Sequence, residues 1–397
     1  MTFKANEEGD LSFYVNTQHA SFSDVAFNEV DSLVLSSLAY LNFEEFPFES
    51  VGRTTPVPLI DILRFTPFEK LTANSWLKDG DDVTLFLEAV ATSPRYRTLA
   101  ASCFVSEVSQ NIDKQFCAVT FTATAMPPYL AFRGTDGSIV GWKEDFDLAY
   151  KDVIASHTTA LRYVSGVLSF LPRSMRINIG GHSKGGNLAE FAAACIDEDG
   201  FERIDTIFNH DGPSFLHDPS PRFNKPEFQA KRQKTIPESS VFGMILEEQD
   251  SHRIVKSNAT SVFQHRPLTW LTQNGAFSCK DELNESARLF DESLDGWLRG
   301  STPEQREVFL DTLFTLVKST NAENWEDFQS SMMKNMPSLL RETRNLDDET
   351  KTIIVQTISR LGVQMRGMTK TYLADRISLM LPKRTAKNEP SDRTIGE

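Results

Sequence analysis

The stretch from Ile177 to Ala189 reads Ile-Asn-Ile-Gly-Gly-His-Ser-Lys-Gly-Gly-Asn-Leu-Ala and contains a Gly-x-Ser-x-Gly pattern at Gly181-His182-Ser183-Lys184-Gly185. Such a serine can serve as a nucleophile if the chain turns sharply from strand to helix at that point. The positions two before and two after the serine then pack against each other, and only glycine leaves the room. The serine oxygen projects clear of the sheet, and its backbone lies at a helix start, which favours developing negative charge. The flanks fit this context. Ile177 and Ile179 read as a strand, and Leu188, Phe191, Ala192 and Cys195 as one face of a helix.

A nucleophilic serine needs amide donors for an oxyanion, a base and an acid. One amide is expected from the residue after the serine, the backbone N–H of Lys184. A second is expected from a loop after an earlier strand, where Ala131-Phe132-Arg133-Gly134-Thr135-Asp136 offers Thr135. The base must follow the serine in the chain order of this geometry, leaving His210, His217, His252 and His265. His265, beyond a strand and before Trp270, is the first choice and His252 the second. His210 ends the strand directly after the turn, too early in that order. His182 cannot turn back onto its neighbour and is expected to pack or bond locally. The acid is open among Glu238, Asp211 and Asp250. Glu238 is placed first because it follows Thr235-Ile236-Pro237, which reads as the end of the next strand. Asp211 is placed second, at the end of the strand before it.

The elements that must hold these residues follow from periodicity. Asn28 to Phe43 has helical spacing in Val30, Leu33, Val34, Leu38 and Leu41, with Asp31 and Ser32 near its start. Asp81 to Ala91 reads as a short helix. Gln115 to Ala125 and Tyr129 to Phe132 read as a strand pair with a turn at Pro127-Pro128. Ala155 to Leu171 reads as a helix, Arg176 to Gly180 as a strand, Asn187 to Cys195 as a helix and Arg203 to Phe208 as a strand. Alternation of strand and helix predicts a mostly parallel sheet with crossover helices. Four regions are expected: a loosely held leader over 1–22, a catalytic domain over 23–280, a helical extension over 281–381 and a disordered polar tail over 382–397. The extension offers a lid, a partner surface or a face for homo-oligomers, although apolar stripes at helical spacing are ordinarily core.

Bulk composition narrows the classes. Over 397 residues, 40% are hydrophobic and 24% charged, an ordinary globular balance. A net charge of −14 disfavours phosphate backbones and anionic membranes, so no nucleic-acid partner is expected. Cys103, Cys117, Cys195 and Cys279 stand far apart, without metal-ligand spacing, and suit reduced thiols. The polar, acidic start lacks the pattern of a signal peptide, and no apolar run approaches the roughly 20 residues of a membrane helix. The expected location is therefore cytoplasmic, with no transmembrane segment. The chemistry requires no metal or organic cofactor.

Ala131-Phe132-Arg133-Gly134-Thr135, the Gly-His-Ser-Lys-Gly-Gly turn and a late base histidine together resemble the class 3, fungal-type lipases. A closer resemblance is to a bacterial family of lipase-like proteins. It is carried by Phe27-Asn28-Glu29-Val30-Asp31-Ser32-Leu33, Arg133-Gly134-Thr135-Asp136, Gly141-Trp142-Lys143-Glu144-Asp145-Phe146, Asp211-Gly212-Pro213, Val255-Lys256-Ser257-Asn258 and Gln264-His265. The resemblance covers roughly Phe22 to Trp297. The resemblance implies an α/β-hydrolase fold, a mostly parallel sheet flanked by helices, with Ser183, a late histidine and Thr135 in the site. It implies no particular substrate. The aspartate usual after the late strand is replaced by Glu238-Ser239-Ser240, and the secretion and disulfides of fungal lipases are absent.

The expected activity is hydrolysis of a carboxylic ester, a small-molecule ester or acyl lipid, through an acyl-enzyme on Ser183. Two other readings compete: a non-catalytic binding or regulatory protein on a hydrolase scaffold, and acyl transfer to an alcohol. Asp136, Trp142, Glu144 and Asp145 are expected to hold the loop after the Thr135 strand, with Trp142 packing it down, or to line an acyl pocket.

Overall fold

The apolar runs after residue 100 are short and rich in β-branched and aromatic residues, and they pair into one sheet. The computed structural model describes residues 7–73, 81–136, 140–141, 144, 147–148, 151–240, 242–247 and 252–284, together with 296–297, 300–302 and 305–306. The chain divides after Met333 into two units, and every described residue belongs to the first. The expected helical extension and tail therefore lie outside the described residues, apart from 281–284 and the few positions between 296 and 306.

Among the described residues, nine strands form the main sheet and lie side by side in the order of the chain. They are β1 (Val57–Pro58), β2 (Ala100–Ser109), β3 (Lys114–Ala123), β4 (Met126–Phe132), β5 (Ile177–His182), β6 (Ile204–His210), β7 (Arg232–Pro237), β8 (His252–Val255) and β9 (Cys279–Lys280). Strands β1 to β4 are antiparallel, β4 to β8 are parallel, and β9 closes the edge antiparallel to β8. A mixed sheet flanked by helices, with its parallel half on the C-terminal side of β4, is an α/β-hydrolase-type fold.

Residues alternate between the two faces of this sheet, and each face has its own core. On one face Leu130, Phe132, Ile177, Ile179 and Ile207 pack against helices α4 (Ala155–Phe170), α5 (Lys184–Cys195) and α6 (Pro226–Lys231). On the other, Val119, Phe121, Tyr129, Ala131 and Phe208 pack against α1 (Leu11–Thr17), α2 (Glu29–Leu38) and α3 (Asp81–Thr92). All ten residues of α2 are buried. Its start is fixed by Asn28, whose Oδ1 accepts from the amides of Val30 (2.8 Å) and Asp31 (3.1 Å), while Asp31 Oδ2 accepts from the Asn28 amide (2.9 Å). Burying Val30, Leu33 and Val34 contributes about 1.5–3 kcal/mol each.

Three expectations change. Part of the segment read as a loose leader is built into the fold: Glu8–Gly9 pairs with Thr272–Gln273, and in α1 Leu11, Tyr14 and Val15 are buried. Tyr14 donates its hydroxyl to Asp31 (3.0 Å), which also holds Arg95 through two bonds of 2.6 and 2.8 Å. So short a helix gave no sign that a carboxylate 17 residues on would fix it. The hairpin between β3 and β4 turns at Thr124-Ala125, with Ala125 at φ +60°, and Pro127 and Pro128 lie inside β4. Prolines are tolerated there because pairing with β5 begins only at Tyr129 and the register with β3 is irregular after Phe121. Strand β2 was not expected at all. Its serines and glutamate mask the alternation, and its register breaks between Ser102 and Val105, where Cys103 has φ +54°.

Candidate active site

Ser183 stands between the last residue of β5 and the first of α5, with φ +57° and ψ −134°. This backbone conformation is unfavourable for a residue with a Cβ and costs on the order of 1–3 kcal/mol. The two glycines around it explain how the bend closes. A Cβ on Gly181 would lie 2.4 Å from the Gly185 carbonyl carbon, and one on Gly185 would lie 2.1 Å from the Phe132 oxygen. The turn is tied down by Ser183 N–H to His210 O (2.9 Å) and Gly186 N–H to Ser183 O (2.9 Å). The side chain of Ser183 is partly exposed, whereas both its neighbours are buried.

The loop after β4 comes directly against this bend. Gly134 leaves no space for a side chain: a Cβ there would meet the Tyr40 hydroxyl at 2.1 Å, His182 O at 2.6 Å and Ser183 Cβ at 3.2 Å. Thr135 follows, partly exposed. Arg133, before it, is buried between Glu44 (3.8 Å) and Asp136 (3.9 Å). Lys184, expected to matter through its amide alone, also has a buried side chain. Its ammonium donates to Gln115 O, Gln115 Oε1 and Glu144 Oε2, each at 2.9 Å. Glu144 in turn accepts from the amides of Gln115 (2.9 Å) and Ser156 (3.0 Å). The start of α5 is thereby fastened to β3 and to the chain entering α4. Of the other residues expected to hold this region, Trp142 and Asp145 lie outside the described residues.

His265 lies on a short 3-10 turn, Ser261–His265, with its ring 23% exposed. Its Nδ1 is 2.6 Å from Asp211 Oδ2. A carboxylate only accepts, so Nδ1 carries the proton and Nε2 keeps a lone pair, the tautomer a proton acceptor needs. Asp211 itself is fully buried. Its Oδ1 accepts from Ser240 Oγ (2.5 Å) and the Gly243 amide (3.1 Å), so both oxygens are held. The loop carrying those donors is anchored by Glu247 against Arg232 (2.6 Å) and Lys234. Burial pushes the Glu247 carboxyl up, but the two cations outweigh it and bring it down to about 2.

Glu238, the first-named acid, is not brought to the His265 ring. It pairs with Lys280 and accepts from Gln264 Nε2 (3.3 Å). The physical reason is that Ser240 and Gly243, just after Glu238, supply their donors to Asp211 instead. Asp250 lies outside the described residues. His252 begins β8. His217 pairs with Asp152 at the surface. His210 is fully buried, with Nε2 2.9 Å from Ser32 Oγ, and burial lowers it to about 3. His182, expected to pack or bond locally, meets partners distant in sequence: Nε2 lies 2.7 Å from His265 O and Nδ1 3.1 Å from the Tyr40 hydroxyl. Glu144 was expected to hold this region, whereas the sequence held no signal for Ser240, Gly243 or Tyr40 as partners, because each meets its partner from a position distant in sequence. Among the described residues, no group of three or more histidine, cysteine or acidic side chains could hold a metal ion, and no helix is long and apolar enough to cross a membrane.

A bent serine at a strand end, a histidine–aspartate pair and a glycine-bearing loop on an α/β sheet define a protein of lipase-like fold. Residues 90–315, more than half of the chain, match the family model described as Mbeg1-like, and the chain belongs to that family. No curated protein matches it. Among solved structures, lipase II from Rhizopus niveus is similar at 16% identity and a TM-score of 0.28, over 46% of this chain and 73% of that one.

Proposed function

We propose that this protein is a serine hydrolase that cleaves carboxylic esters through an acyl-enzyme on Ser183. His265 Nε2 takes the Ser183 hydroxyl proton as Oγ attacks the ester carbonyl carbon. The resulting oxyanion is held by the amides of Thr135 and Lys184. The intermediate collapses, His265 gives its proton to the leaving alcohol oxygen, and the acyl group remains on Ser183. Water attacks that acyl carbon, losing its proton to His265, and the carboxylic acid leaves as the proton returns to Ser183. Asp211 holds the imidazole in the required tautomer and stabilises its protonated form. The substrate is a small-molecule ester or acyl lipid.

The observation that carries this reading is the 2.6 Å bond between His265 Nδ1 and Asp211, made beside the strained serine turn. The test is labelling with a fluorophosphonate probe, which reacts with an activated serine, followed by p-nitrophenyl esters of graded acyl length. Labelling of the wild-type protein and its loss in Ser183→Ala are expected. A folded wild-type protein that neither labels nor turns over any ester would instead mark a binding protein on a hydrolase scaffold.

A further inference from the structure

His265 presents a mechanical problem. It sits on a single 3-10 turn, its ring is partly exposed, and a side-chain bond to Asp211 orients it. A ring pivoting about that bond would swing Nε2 away from the serine. The peptide of His265 must therefore be held as firmly as its ring, and the residue that holds it is the one preceding the nucleophile. His182 Nε2 lies 2.7 Å from the His265 carbonyl oxygen. Because a carbonyl only accepts, Nε2 bears the hydrogen, and the neutral ring offers Nδ1 to the Tyr40 hydroxyl at 3.1 Å. The two imidazoles lie face to face at a tilt, with centroids 4.5 Å apart. The Phe242 ring also lies against His265, with centroids 4.4 Å apart. The preceding peptide is held as well, since Trp270 Nε1 donates to Gln264 O (2.7 Å).

We propose that His182 is a positioning residue, a clamp through which the strand carrying Ser183 fixes the backbone of His265. This rests on the reading of Ser183 and His265 as nucleophile and base. The same strand end then sets both partners. β5 delivers Ser183 through its main chain and His265 through the His182 side chain, so their separation is fixed by one rigid element. Tyr40 extends the chain of contacts, because its hydroxyl also fills the space beside Gly134 and so reaches the oxyanion loop. Burial disfavours the charged form of His182, pushing it well below the usual histidine range, in keeping with a neutral ring that donates from Nε2.

The test compares His182→Phe, which fills the space without a donor, with His182→Gln, whose amide nitrogen reaches the position of Nε2. Fluorophosphonate labelling of Ser183 is expected to fall about ten- to a hundredfold in His182→Phe, as for a misplaced catalytic group, and to recover largely in His182→Gln. In ester hydrolysis the loss is expected in kcat, with KM unchanged. If His182→Phe does not fold, His182→Met takes its place. Independently of activity, proton NMR of the His265 Nδ1–H shared with Asp211 is expected to be sharp in the wild-type and His182→Gln proteins and broadened in His182→Phe. Equal labelling in the folded variants, equal loss in Gln and Phe, or an unchanged NMR signal overturns the clamp. A wild-type protein that does not label defeats the hydrolase reading instead, and the NMR comparison still decides the clamp.

Discussion

Asp211→Asn and Glu238→Gln make opposite demands on the proposed mechanism. In the first, the asparagine Oδ1 can still accept from Ser240 Oγ and the Gly243 amide, so the buried side chain keeps its place. Its Nδ2 then faces His265 Nδ1, two donors 2.6 Å apart in the parent geometry. The imidazole must move its hydrogen to Nε2, and the lone pair that should take the Ser183 proton is lost. The charge is lost too. A carboxylate about 4 Å from the imidazolium charge is worth about 4 kcal/mol at an effective dielectric of about 20. That corresponds to about a thousandfold in rate, and the wrong tautomer raises it toward about ten-thousandfold. In Glu238→Gln the altered group touches Lys280 and Gln264, not the catalytic ring, and a change under about threefold is expected for losing a partly exposed ion pair. The assay is kcat/KM on a p-nitrophenyl ester with fluorophosphonate labelling in parallel, each variant checked for an unchanged melting transition. Loss of activity in Glu238→Gln with retention in Asp211→Asn would refute the reasoning.

Ser183→Gly should abolish labelling yet raise unfolding stability by about 1 kcal/mol, because glycine accepts φ +57° without strain; chemical denaturation measures this. Gly185→Ala should destabilise the fold by about 3 kcal/mol or more, since its Cβ would meet the Phe132 carbonyl at 2.1 Å and backbone cannot yield as a side chain does; urea unfolding measures this, and a stable, labelled variant would count against the turn geometry. Stability should fall on acidification from about pH 6.5. Burial holds His157 down at about 4 and His210 at about 3. Their folded values are depressed, so the unfolded chain takes up protons first and each histidine costs about 1.4 kcal/mol per pH unit until its folded value is reached. Denaturation midpoints between pH 7 and 5 test this, and His157→Gln should flatten the slope.

The legible parts of the chain were the local ones. The bend at Ser183 depends on five consecutive residues, and the strand before and helix after it are set by their own periodicity, so pattern alone located them. The α/β fold followed from the alternation of strands and helices between β4 and β7. The choice between Glu238 and Asp211 was not local. Both follow the ends of neighbouring parallel strands, and what separates their surroundings is that Ser240 and Gly243 donate to Asp211. The Lys184 side chain was illegible for the same reason. Its partners lie 69 and 40 residues away, and nothing in their spacing announces that they meet. Strand β2 was hidden by its polar residues, and α1 by its shortness.

The two residues with the least comfortable backbones in the site are also its most constrained pair. Ser183 has φ +57° and Asp211 φ +55°. The parallel register of β5 and β6 sets His182 opposite His210, so each strained residue comes one step beyond a matched pair, at the carboxyl ends of adjacent strands. Crevices for ligands form at that edge, where strands stop and loops diverge. The bonds that hold the two residues cross between the strands: Ser183 N–H to His210 O at 2.9 Å, and Asp211 N–H to Thr235 O at 2.8 Å. Strain at both ends is thus stabilised by the sheet that creates them, and β7 passes the same constraint to the next strand. A one-residue slip in the β5–β6 register would break the bond that holds Ser183, and a slip in the β6–β7 register the one that holds Asp211. In the proposed mechanism the positions of Ser183 and Asp211 are therefore properties of the strand pairing, and His265, which lies on a 3-10 turn outside that pairing, is the member for which a separate clamp is proposed.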